Sequence, residues 1–166
     1  MDKIYKRRGG NSTLNDPYLS KINYKDPNIC PKCGAVYRNK RWEFDENLIH
    51  DIKLKGDYDK KKCPACRKIE DNYPMGLVFI SGRFVTKHKN TILNTIKSEE
   101  KRAMEKNPLE RIIAIEKEDE DKYLIKTTTD TLAHRIGHIL HKSFKGKLDY
   151  KFSDNRFLRT SWSRDD

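Results

Sequence analysis

The sequence predicts an α+β chain in two parts. A small cysteine-stapled module comes first. A sheet with two helices on one face follows, with one extra strand near the end. Three observations predict this. All four cysteines fall into two C-x-x-C pairs, Cys30-Pro31-Lys32-Cys33-Gly34 and Cys63-Pro64-Ala65-Cys66. After residue 76, apolar residues recur with strand and helix periods in the order strand, helix, strand, strand, helix, strand, strand. Turn residues such as Tyr73-Pro74-Met75-Gly76 punctuate the joints. Without its last strand this is the order of the split βαβ, ferredoxin-like arrangement.

The cysteine spacing lets two thiolates grip one ion from a single tight turn, and two such turns complete a tetrahedron. Four thiolates favour Zn²⁺, so Cys30, Cys33, Cys63 and Cys66 are the candidate ligands of a four-cysteine zinc ribbon. Pro31 and Pro64 fix φ after each first cysteine, and Gly34 can adopt the positive φ a knuckle needs. Two disulfides or four free thiols are the alternatives. Disulfides require an oxidising compartment, and no signal peptide is visible. A redox C-x-x-C normally occurs once, at a helix start after a strand. A four-thiolate site has no open coordination position, so it holds a shape and does not by itself imply catalysis.

Charged residues make up 37% of the 166 residues and the formal net charge is +11. This excess points to a polyanion, nucleic acid before an acidic membrane. No run approaches the roughly 20 apolar residues of a membrane span. The expectation is a soluble, cytoplasmic protein in a reducing compartment, with no membrane partner. Residues 1–28, with Lys3, Lys6, Arg7, Arg8 and Gly9-Gly10, read as a flexible basic arm able to lie along phosphates. Tyr18, Ile22, Tyr24 and Ile29 are positioned to pin its last part onto the next module.

Residues 29–72 read as the zinc-ribbon module. Ala35-Val36-Tyr37, then Trp42 and Phe44, suggest short strands; Leu48, Ile49, Ile52 and Leu54 fall near helical spacing. A module this small buries too little to fold without its metal. Arg38, Lys40 and Arg41 crowd the first knuckle; Lys61, Lys62, Arg67 and Lys68 crowd the second. With Tyr37 and Trp42 among them, they suit phosphate contact plus base stacking. Trp42 taken alone is more simply the core of the module.

Residues 73–164 read as the ferredoxin-like unit. Leu77-Val78-Phe79-Ile80 is a strand. Residues 88–106 form a helix with Ile92, Leu93, Ile96 and Ala103 on one face, stopped by Pro108. Arg111–Glu116 and Tyr123–Thr128 are a strand pair around an acidic turn, 117–121. Thr129 or Asp130 caps a helix that buries Leu132, Ile136, Leu140 and Phe144 and ends at Gly146. Leu148, Tyr150 and Phe152 alternate along the next strand, and 157–162 make the last.

Two further clusters carry no strong chemistry. His134, His138 and His141 form a helical stripe, but Arg135 and Lys142 beside it disfavour a bound cation; a solvated or phosphate-facing surface is the reading. Glu116, Glu118, Asp119, Glu120 and Asp121 share one loop and read as a solvated turn, not a Mg²⁺ site. Nucleophile elbows, P-loops and dinucleotide fingerprints are missing. The expectation is a non-enzyme with no small-molecule substrate.

The two Cys motifs, Tyr73-Pro74-Met75-Gly76-Leu77-Val78, Ile80-Ser81-Gly82, Asn107-Pro108-Leu109-Glu110-Arg111-Ile112, Thr127-Thr128-Thr129-Asp130, Leu132-Ala133-His134-Arg135-Ile136-Gly137 and Thr160-Ser161-Trp162-Ser163-Arg164 occur in order. Over about 28–164 the chain resembles a group of small prokaryotic zinc-ribbon proteins. That group is similar to the N-terminal part of the large-ribosomal-subunit export adaptor family, the nonsense-mediated decay protein three-like proteins. The resemblance implies binding to the ribosome or to structured RNA. The adaptors have more cysteine quartets, later domains and export signals, so nuclear export does not carry over. The candidate RNA contacts are Arg7, Arg8, Arg38, Lys40, Arg41, Lys61, Lys62, Arg67 and Lys68. The alternative is a zinc-ribbon adaptor or regulator that binds protein.

Overall fold

A computed structural model describes residues 16–20, 22–153 and 157–166. Arg7 and Arg8 lie outside the described residues. The chain is mixed α+β, with a three-stranded and a five-stranded sheet.

The first sheet is the antiparallel set β1 (Asn28–Ile29), β2 (Val36–Arg38) and β3 (Arg41–Glu43). β2 and β3 are joined through Asn39 and Lys40, both at positive φ (53° and 61°), the backbone of a tight primed hairpin turn. α2 (Glu46–Lys55) follows. Asp45 caps it by accepting from the Leu48 N–H at 3.1 Å, and Gly56, at φ +78°, ends it. Its inward residue Ile52 packs with Ile29 and Val36. The helical spacing over 48–54 is therefore a helix. α3 (Pro64–Asp71) begins on the second knuckle and runs toward the second sheet.

Residues 16–20 and 22–28, placed in the arm by composition, hold defined positions at several points. α1 (Pro17–Ser20) lies against α3. The Tyr18 hydroxyl donates to Asp71 at 2.6 Å, and the Tyr24 hydroxyl donates to the Lys62 carbonyl at 2.7 Å. The aromatic anchors expected at the end of the arm account for this.

The second sheet has the order β5-β6-β4-β8-β7. Its strands are β4 (Gly76–Ser81), β5 (Ile112–Asp119), β6 (Lys122–Thr127), β7 (Lys147–Phe152) and β8 (Leu158–Ser163). α4 (Arg83–Lys87) and α5 (Lys89–Lys106) join β4 to β5; α6 (Asp130–Phe144) joins β6 to β7. β5 extends through Asp119, so the acidic turn shrinks to Glu120 and Asp121. One difference from an all-antiparallel sheet is central. The chain leaves α6, forms edge strand β7, then turns back as β8 into the slot beside β4, parallel to it.

Inward residues alternate along these strands, as a half-buried sheet requires. Val78 and Ile80 of β4, Ile125 of β6, and Leu158 and Trp162 of β8 face Ile92 and Ile96 of α5 and Leu132, Ile136 and Leu140 of α6. Gly137 lets α6 approach β8: a Cβ there would meet Thr160 Cγ2 at 2.5 Å. Glu99, buried on α5, is answered by Arg135 of α6 at 3.0 Å. The indole of Trp162 donates to the Lys145 carbonyl at 2.6 Å.

The cysteine module docks at the end of this sheet where β4 begins and β6 ends. Leu109, just after α5, packs on the cysteine cluster. Lys68 of α3 is buried. Its ammonium donates to Asp16 at 2.5 Å and to the Thr128 carbonyl at 2.8 Å, tying α1, α3 and the end of β6 together.

Candidate metal centre

The two knuckles are built differently. In the first, β1 delivers Cys30. The Gly34 N–H donates to the Cys30 carbonyl, and the Cys30 N–H donates to the Ala35 carbonyl at 2.8 Å. This closes a turn that requires Gly34 at φ +80°. In the second, Cys63 is the N-cap of α3, Pro64 supplies the preset φ of its first turn, and Cys66 sits one turn on. Cys63 Sγ accepts from the Cys66 N–H at 3.4 Å; Cys30 Sγ accepts from the Cys63 N–H at 3.3 Å. N–H groups and a helix N-terminus both favour thiolate sulfur.

The four Sγ atoms lie within 4.8 Å of one another. Cys33 and Cys63 are 3.7 Å apart. That is far beyond a disulfide bond of about 2.05 Å, and all four cysteines are free. It matches a tetrahedral edge of about 3.8 Å expected for metal–sulfur bonds of about 2.3 Å. Cys30, Cys63 and Cys66 are buried and Cys33 is half-buried. The quartet is thus closed from solvent on most sides and can hold a metal ion.

The protonation pattern fits the same reading. Hydrogen bonds from Cys33 and Cys63 hold the Cys30 thiol well below its ordinary range, while hydrogen bonds to Cys30 and Cys33 push Cys63 up. Burial, then the Cys33 charge, pushes Cys66 up to about 12. Four sulfurs this close, three of them buried, cannot all ionise unaided, and a divalent cation among them would supply the missing charge.

The basic residues divide into three groups. Arg38, Lys40 and Arg41 stand exposed on the β2–β3 turn, and the Asn39 N–H between them is tied to Asp26 at 3.0 Å. Lys61 is exposed beside the second knuckle, its backbone clamped to both ends of the Asn28 side chain. Lys62 pairs with Glu70 at 2.5 Å, and Arg67 donates to the Lys62 carbonyl at 3.0 Å. Lys68 is the correction: at 3% exposure its ammonium is held by Asp16 and withheld from any phosphate. Sequence proximity put it in the patch, and the helix turned it inward.

Trp42 packs against the cysteine cluster and stacks with two tyrosines: Tyr24 edge-on at 4.8 Å and Tyr37 tilted at 5.2 Å. The histidine stripe is not uniformly outward. His134 is half-buried, stacked on Tyr150 at 4.9 Å and parallel to His138 at 6.4 Å, while His138 is exposed. Among the described residues, only the cysteine quartet forms a cluster of three or more His, Cys, Asp or Glu that could hold a metal ion. No helix among the described residues is long and apolar enough to cross a membrane. No family model, curated protein or solved structure matches the chain.

Proposed function

We propose that the protein is a zinc-binding, non-catalytic RNA-binding protein that docks on the ribosome or on another structured RNA in the cytoplasm. The observation that carries this is one juxtaposition. The hairpin bearing Arg38, Lys40 and Arg41 grows out of the thiolate knuckle, and Tyr37 pairs with Trp42 across its strands directly beneath the Arg38–Arg41 pair. A metal at the quartet would fix the base of that hairpin, so the cations would meet phosphates from a rigid platform. Zinc fits the donor set because four thiolates suit a soft, tetrahedral ion and leave it no open position for catalysis. Lys61, and Lys62 and Arg67 once freed from their internal partners, extend the same basic surface. The second sheet is read as a ferredoxin-like unit with β8 inserted. The likeness to small zinc-ribbon proteins related to ribosomal export adaptors supports the choice of partner.

The test is binding of the metal-loaded protein to ribosomal RNA across a salt series. Each phosphate contact steepens the log–log slope by about 0.7–0.9. Affinity that ignores salt removes this reading. A protein-interaction adaptor is favoured by one feature, the exposure of Phe44 (42%) and Leu54 (72%) in the same module. Migration of the protein with a ribosomal subunit, abolished by replacing Arg38, Lys40 and Arg41 but not Leu54, separates the two.

A further inference from the structure

A cleft of about 530 Å³ opens where the cysteine module meets the α/β unit. Tyr24, Tyr37 and Trp42 line it from the module, with Lys40 and Arg41 of the β2–β3 hairpin. Lys106, in the last turn of α5, lines it from the other unit. Among the described residues that line it, none is acidic.

We propose that this cleft receives one unpaired nucleotide of RNA, its base against the Tyr37–Trp42 wall and its flanking phosphates among Lys40, Arg41 and Lys106. The inference rests on the RNA-binding reading above and adds the class of RNA: single-stranded, or a loop, with a base free to leave its stack. Aromatic faces suit bases of any identity, because every base has a π-face. Three cations with no carboxylate among the described lining residues suit a polyanionic backbone. A-form duplex offers phosphates, 2′-hydroxyls and base edges along a shallow groove but keeps its bases stacked, so it has no base to insert.

Lys40 allows a variant that tests the cleft without loosening the turn. At φ +61° it occupies the left-handed region that favours glycine or asparagine. A lysine there carries local strain that glycine would relieve. Lys40→Gly therefore separates fold from function, since it relaxes the turn and removes the cation.

The experiment measures the affinity of full-length, metal-loaded protein for three RNAs by fluorescence anisotropy: a hairpin with an unpaired loop, the same hairpin with abasic loop positions, and a blunt duplex of the same stem. The loop hairpin is expected to bind about tenfold tighter than either of the others. Tyr37→Leu abolishes that preference and Tyr37→Phe retains it. Lys40→Gly and Lys106→Ala each weaken loop binding several-fold while thermal unfolding stays at or above the wild-type midpoint. Equal, salt-dependent affinity for all three RNAs, unchanged in Tyr37→Leu, overturns the cleft inference and leaves general phosphate binding standing. No binding to any of the three overturns both.

Discussion

The cysteine module hides Cys30, Ala35, Cys63, Ala65 and Cys66 in one cluster and Ile29, Val36 and Ile52 in another. Among the described residues, the α/β unit hides fifteen side chains in one, including Trp162, Ile136, Leu140 and Leu158. At ~25 cal/mol per Å² of buried apolar surface, the second set can hold a sheet and its helices together; the first, mostly sulfur and alanine, cannot offset the entropy of ordering its loops. One region is therefore a product of packing, and the other depends on what its thiols bind. The chain carries two tryptophans, Trp42 in the module and Trp162 in the core, so each region has its own fluorescent reporter.

Removing the metal should give the largest effect. Apparent binding energies for structural zinc are about 10–16 kcal/mol, more than a small module's own stability. Chelation is expected to shift Trp42 emission to the red while Trp162 emission and the far-ultraviolet signal of the α/β unit persist. Cys33→Ser should do the same, and it is the cleanest substitution because Cys33 is the least buried of the four and caps no helix. If both tryptophans respond together, the two regions form one cooperative unit and the contrast fails.

The joint between them comes next. Lys68 and Asp16 are 3% and 9% exposed and 2.5 Å apart. Removing one charge of a buried pair takes the counter-charge from the other, at a cost of about 3–5 kcal/mol. Lys68→Met is expected to lower the unfolding free energy, read from urea denaturation, by an amount in that range, and adding Asp16→Asn should restore most of it. A single variant as stable as wild type would mean that the pair is solvated and does not join the regions.

Inside the core, Gly137→Ala sets two effects against each other. Alanine gains about 1 kcal/mol of helix propensity over glycine. Its Cβ would also sit 2.5 Å from Thr160 Cγ2 and 3.1 Å from Leu148 Cδ1, and overpacking of this kind costs about 1–3 kcal/mol. Net destabilisation of the Trp162 transition, with metal content unchanged, is the expected outcome. A stabilised variant would show that α6 can lift off β8 at little cost.

What the sequence made legible follows from the range of each cause. The quartet is legible because C-x-x-C spacing is a local constraint, and α2, α5 and α6 because helical period is local too; Thr129, one of the two expected caps of α6, accepts from the Leu132 N–H within one turn. Tertiary choices were not legible. Strands 147–152 and 158–163 read correctly as strands, yet their apolar alternation is the same whether β7 or β8 lies beside β4, so the parallel pair could not be inferred. Lys68 looked like its basic neighbours because only the distant Asp16 and Thr128 turn it inward. Lys106 and the cleft it lines went unseen because the opposite wall lies more than sixty residues earlier in the chain.

The smallest expected effect tests whether acid weakens the two regions for different reasons. In the module, protons compete with the metal for thiolates, so acid releases the ion. In the α/β unit the sensitive group is His134. Burial first, then the neighbouring His138, holds its pKa below the ordinary histidine range, while Asp130 pulls the other way and Tyr150 stacks on the ring. The folded unit therefore resists a proton that the unfolded chain accepts. Below about pH 6.5, the unperturbed histidine value, the unfolded state binds more protons, so stability is full above that pH and falls as pH is lowered through it. The Trp162 transition should lose stability from about pH 6.5 downward even in Cys33→Ser, where metal release can play no part. His134→Phe keeps a ring against Tyr150 and should flatten that slope. A slope unchanged in His134→Phe would assign the acid sensitivity of the core to another group.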